Sequence, residues 1–66
     1  MTIAERIKQI REARGMSQRE VAKALGISQP AYYYFESGDR VPSLAMTKAL
    51  ARVFEVTLDE LAGDTK

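Results

Sequence analysis

Three times in 66 residues a Ser or Thr is followed three positions later by Glu: Thr2…Glu5, Ser17…Glu20 and Thr57…Glu60. This spacing forms a capping box, in which the hydroxyl and the carboxylate each satisfy an orphan backbone N–H at a helix start. Met16 with Val21, and Val56 with Leu61, add an apolar staple across two of these starts. Ser28 lacks the Glu but has Ile27 and Tyr32 as a staple, and Pro30 lies in the first turn, where its missing N–H costs little. Ser43 follows Pro42 and precedes another helical run. Gly15, Gly26, Gly38 and Gly63 each fall where a helix should stop. This punctuation predicts five helices, at about 2–14, 17–25, 28–37, 43–54 and 57–62.

Apolar residues recur at three and four (Ile3, Ile7, Ile10; Val21, Ala22, Leu25; Leu44, Leu50, Phe54), and no segment alternates with period two. The fold class is therefore all-α, a compact five-helix domain over residues 1–66. A chain this short buries only roughly 60% of its unfolded surface. It contains no Cys and no His, so disulfides and Cys/His zinc sites are excluded. Stability must come from tight helix packing, self-association or both. With 45% hydrophobic and 29% charged residues, the composition is that of a folded chain. No apolar run approaches the roughly 18 residues of a membrane span, and the N-terminus lacks the apolar stretch of a signal peptide. A cytoplasmic location is expected.

The second and third helices are joined by Gly26-Ile27 alone. So short a turn forces a steep crossing, the helix-turn-helix geometry. Ala22 is small where the two helices approach, and Val21, Leu25, Ile27, Tyr32 and Phe35 face one interior. Ser17-Gln18-Arg19-Glu20-Val21-Ala22-Lys23-Ala24-Leu25-Gly26-Ile27-Ser28-Gln29 resembles the opening of the phage-repressor-like, Cro/Xre-type helix-turn-helix domain. The resemblance continues through Arg11, Phe35-Glu36-Ser37-Gly38, Pro42-Ser43-Leu44 and Leu58-Asp59-Glu60-Leu61, and so covers about Ile3 to Leu61. It implies a transcriptional regulator that binds an operator in double-stranded DNA as a dimer, associated with the nucleoid when bound.

At helical steps, Ser28, Ala31, Tyr32 and Phe35 share one face of helix three, while Gln29, Pro30, Tyr33 and Ser37 lie opposite, with Tyr34 on the flank. The outer face has no apolar reason to exist. Gln is suited to a paired hydrogen bond with adenine, and Tyr can meet phosphate or thymine methyls. Gln29, Pro30, Tyr33 and Tyr34 are thus candidate base contacts. Gln18 is a phosphate contact by resemblance, and Arg19, Ser28, Ser37 and Arg40 are further candidates. On helix one, Arg6, Lys8 and Arg14 read as a solvated face, Arg14 being nearest to an approach to DNA. The resemblance also implies a structural, partly buried Arg11–Glu36 ion pair, and a dimer surface near the last helix, with Val56, Leu58 and Leu61 as candidates.

Net charge is only +1, with seven Lys/Arg against five Asp/Glu in residues 1–40 and three against four thereafter. Charge alone names no partner. Catalysis is not expected: no His or Cys is present for acid–base or nucleophilic work, the glycines are dispersed, and no cofactor or metal site is visible. The alternative is a protein-interaction module on the same fold, such as an antitoxin, with the tyrosines as a hot-spot patch.

Overall fold

The computed structural model describes residues 2–62. Five helices follow one another: α1 (Ile3–Ala13), α2 (Gln18–Leu25), α3 (Gln29–Ser37), α4 (Leu44–Phe54) and α5 (Leu58–Ala62). No strand occurs among the described residues. The ranges read from sequence start one residue earlier because they include the caps. Gly63, read as the last stop, lies outside the described residues.

Every expected start is built. Backbone N–H groups of Glu5, Glu20 and Glu60 donate to Thr2 Oγ1 (3.2 Å), Ser17 Oγ (3.0 Å) and Thr57 Oγ1 (3.1 Å). In return the N–H groups of Thr2, Ser17 and Thr57 donate to the three Glu carboxylates at 2.8–2.9 Å. Those backbone donors hold the Glu5 and Glu60 carboxyls below the ordinary carboxylate range. Ser28 and Ser43 accept from Ala31 N–H (3.2 Å) and Met46 N–H (3.1 Å).

The stops and starts are fused. Gly15-Met16-Ser17, Gly26-Ile27-Ser28 and Glu55-Val56-Thr57 are three versions of one connector. The first residue of each is left-handed, with φ 69°, 75° and 59°. The middle residue donates its N–H to the carbonyl five positions back in the helix: Met16 to Arg11 O (3.2 Å), Ile27 to Ala22 O (3.0 Å) and Val56 to Ala51 O (3.0 Å). This is the Schellman end. The same middle side chain packs against the core. It therefore closes one helix and staples the next. Only Glu55 lacks the glycine that the conformation favours, so no glycine marks the stop after α4 in the sequence.

The core joins Ile7 of α1, Val21 and Ala22 of α2, Tyr32 of α3, Leu50, Ala51 and Phe54 of α4, and Leu61 of α5. Leu25, Ile27 and Phe35 pack against it. Two sequence expectations are corrected here. Leu61 has no exposed surface, so it is core and not a dimer-interface residue; its staple position turns it inward under Val56. Leu44 is not buried with Leu50, Ala51 and Phe54 of α4: it is the first residue of the helix, a turn and more before the buried residues, and is 67% exposed.

Glu55→Gly is expected to stabilise the protein. Removing roughly 1–2 kcal/mol of left-handed strain, less roughly 0.5–1 kcal/mol for the freer unfolded glycine, leaves about 1 kcal/mol. A thermal melt should rise by about 4–8 °C. An unchanged or lower midpoint would mean that the exposed Arg14–Glu55 pair (3.7 Å) outweighs the backbone strain.

Candidate nucleic-acid interface

One carboxylate organises this side of the molecule. Glu36, in the last turn of α3, has a side chain only 3% exposed. Its Oε2 accepts from Arg11 Nε at 2.6 Å and from the Tyr32 hydroxyl. Its Oε1 accepts from Arg11 Nη2 at 3.2 Å and from Gln18 Nε2 at 3.0 Å. Arg11 Nη1 then donates to the carbonyl of Met16 at 2.8 Å. A single acid thus ties together α1, the first turn of α2 and the middle of α3 at Tyr32, and through Arg11 it reaches the α1–α2 connector. Burial alone would push the Glu36 carboxyl up, but the donors from Arg11, Tyr32 and Gln18 outweigh it and hold the carboxyl below its ordinary range. The same contact raises the Arg11 guanidinium, against its own burial. Burial, with the hydrogen bond to Glu36, pushes the Tyr32 phenol far up.

With Tyr32 turned inward, the next two tyrosines turn outward. Tyr33 and Tyr34 are 50% and 41% exposed, and their rings meet edge to face with centroids 5.9 Å apart. They line an open cleft of about 340 Å³ with Gln18, Gln29 and Pro30. On the other side of Gln29, an open cleft of about 450 Å³ is lined by Arg19, Ala22, Lys23 and Ile27. Gln29 is the shared wall of an aromatic cleft and a basic one.

The structure therefore gathers Gln18, Gln29, Pro30, Tyr33 and Tyr34 into one surface, with Arg19 adjoining. Ser28 caps α3, and its hydroxyl proton remains available while its oxygen accepts. Ser37 is engaged locally: its Oγ lies 3.2 Å from Tyr34 O and 3.0 Å from Asp39 Oδ2. Arg40 is exposed in the loop after α3, its N–H bonded to Tyr34 O. Arg14 is drawn toward the α4–α5 connector, donating from Nη2 to Glu55 O at 3.2 Å. Lys23 was not anticipated; its spacing of four from Arg19 on the polar side of α2 was the available signal. Gln18's bond to Glu36 was not anticipated either. Its amide nitrogen keeps a second hydrogen for an outside acceptor. At the other end, Val56 is half-buried against the core, while Leu58 is 38% exposed.

α2, its three-residue turn (Gly26-Ile27-Ser28) and α3 define a helix-turn-helix protein. A family profile described as helix-turn-helix matches residues 7–61. The chain is 41% identical over 61 residues to YazB of Bacillus subtilis, an uncharacterized HTH-type transcriptional regulator, covering 92% of this chain and 88% of that protein. It is 35% identical over 63 residues to the cryptic phage CTXphi transcriptional repressor RstR of Vibrio cholerae, covering 96% of this chain. The crystal structure of the P22 c2 repressor in complex with a synthetic operator matches with a TM-score of 0.86 at 24% identity, covering 96% of each chain, a likeness of fold. The chain belongs to the Cro/Xre-type helix-turn-helix family. That family is one of transcriptional-regulator DNA-binding domains, not of enzymes. The chain spans 56% of RstR, 53% of the regulator AnsR of Bacillus subtilis and 30% of the activator BcrR of Enterococcus faecalis. No helix among the described residues is long and apolar enough to cross a membrane.

Arg11→Ala strands Glu36 and is expected to cost about 3–5 kcal/mol. That is a large share of the stability of a 66-residue domain, about 3–10 kcal/mol; urea denaturation reads it, and a loss below about 1 kcal/mol would make the pair a surface contact in effect. Acid should act on the same group. A carboxylate held low in the fold contributes fully above the unfolded pKa, and that contribution is lost as pH falls through the folded value. Stability is expected to hold down to about pH 5 and then drop. Glu36→Gln, weaker at neutrality, should lose less over the same window. Equal losses in both proteins would shift the acid sensitivity to Glu5 and Glu60.

Proposed function

We propose that this chain is a sequence-specific, repressor-like DNA-binding transcriptional regulator. It binds a pseudo-palindromic operator as a homodimer, with α3 in the major groove. The observation that carries this is the outward face of α3: exposed, with no charged side chain of its own, flanked by Arg19 and Lys23 on α2, while the following loop sets Arg40 beside Asp39, whose carboxylate is held by Ser37. Such a face suits base edges, while Arg19, Lys23 and Arg40 suit the phosphates on either side. Gln29 and Tyr33 stand nearest the bases, with Pro30 and Tyr34 beside them. Gln18 and Ser28 offer a phosphate their free hydrogens at the starts of α2 and α3. A relative of the same fold, the P22 c2 repressor, was crystallised on a synthetic operator, which supports the assignment.

Dimerisation would set two α3 helices about 34–36 Å apart, one turn of DNA. With Leu61 in the core, the exposed apolar side chains left for it are Leu58, Val41 and Leu44. Leu58 remains the interface residue of choice, with Val56, partly buried against the core, two residues before it.

Fluorescence anisotropy against a random-sequence DNA pool, at two salt concentrations and with bound sequences recovered, tests the proposal. A pseudo-palindrome is expected. Gln29→Ala should weaken binding to it by roughly 5- to 150-fold, the cost of one paired base contact. Arg19→Ala and Lys23→Ala should leave the preference intact, each lowering the log–log salt slope by about one. No binding at low salt would overturn the proposal and direct attention to a protein partner.

A further inference from the structure

Resting on that assignment, we infer that the aromatic cleft seats the C5-methyl of a thymine, and that Gln29 reads an adenine next to it. The half-site facing α3 is then built of A·T pairs and read without a guanine contact.

The chemistry of the face is restrictive. Between Gln29 and Ser37 there is no Lys or Arg, and the single acid, Glu36, is buried. Guanine shows the major groove two adjacent acceptors, which call for two donors such as an Arg fork. Adenine shows one acceptor and one donor, the complement of a glutamine amide. Gln29 is the exposed amide of α3. The nearby cations, Arg19 and Lys23, lie across Gln29 in the basic cleft, on the α2 side.

The second cleft has the opposite character. Pro30 contributes an apolar ring and no N–H. Tyr33 and Tyr34 brace each other edge to face, which limits their freedom to rotate away. Gln18 closes the cleft with an amide already held by Glu36. The result is a braced, largely apolar notch one residue from the adenine reader. Of the four bases only thymine carries a methyl into the major groove.

The test uses the operator recovered from the random pool and the same duplex with deoxyuridine in place of thymine, a change that removes the methyl and keeps every base-pair hydrogen bond. Tyr33→Ala and Tyr34→Ala provide the protein arm; both side chains are exposed, and circular dichroism checks that the helices persist. Enriched half-sites should carry A·T pairs opposite α3. Each seated thymine changed to uracil should weaken binding about fourfold, the worth of one buried methyl. At least one tyrosine variant should bind the two duplexes equally. An enriched operator that tolerates uracil within about 1.5-fold, or whose contacted pairs are G·C, would overturn this inference and leave the regulator standing. A thymine preference undiminished in both tyrosine variants would overturn the placement in this cleft. No enriched sequence at all would overturn the inference together with the sequence-specific reader it rests on.

Discussion

The Glu36 carboxylate has almost no water to solvate it, and four protein donors take water's place. Apolar contacts hold the helices together without fixing how each is rotated, because burial is nearly indifferent to direction. Hydrogen bonds to an ion are short and directional. Placing one ion where α1, α2 and α3 meet converts a cluster of short helices into a single arrangement. Tyr32 shows the economy of this. It is the largest fully buried side chain, and its hydroxyl would be costly to bury alone. Glu36, four residues on, accepts it. The same acid holds Gln18 at the edge of the aromatic cleft. The exposed face of α3 is thereby registered against α2 by contacts made on its hidden side.

The connectors do for the chain what the carboxylate does for the faces. A domain of this size has little core to spend on loops. Using Met16, Ile27 and Val56 both to end one helix and to begin the next leaves almost no residue idle. It also keeps each connector to three or four residues, the next helix's cap included, and so restricts the angle at which successive helices leave each other. The α2–α3 turn is one instance of a device used three times in the chain. What distinguishes α2–α3 is the outer surface of the pair, not the turn itself.

The elements were legible because their signals are local: Thr2, Ser17, Ser28, Ser43 and Thr57 declare themselves through residues three positions away. The end of α4 falls at Phe54, where the sequence reading put it, although no glycine marks it: Glu55 adopts a glycine's conformation without being glycine. Leu61 was misplaced. An apolar residue near a short helix can serve the core or a partner, and only the packing of α4 against α5 decides. The Arg11–Glu36 pair came from resemblance, since nothing in a separation of 25 residues suggests a contact. Tyr32 and Glu36, at a spacing of four, could have been paired from sequence; their joint burial could not. Gln29, Tyr33 and Tyr34 were placed outward correctly by helical steps, whereas the cleft they enclose depends on Gln18 arriving from α2.

Charge is arranged so that holding and reading are separate tasks. A cation on α3 would bind phosphate or guanine wherever it met them, and would add affinity for every sequence at once. Here the cations stand to the side, on α2 and after α3, and the only charge on α3 is turned inward and neutralised by Arg11. The face between them has dipoles, rings and one proline. Its contacts reward a matching base edge and give little to a mismatched one, since an amide facing the wrong donors is left unpaired. A net charge of +1 is therefore no argument against binding a polyanion. What counts is where ten cations and nine anions are placed, and the largest neutralisation, at Glu36, takes place beneath the surface that would do the reading.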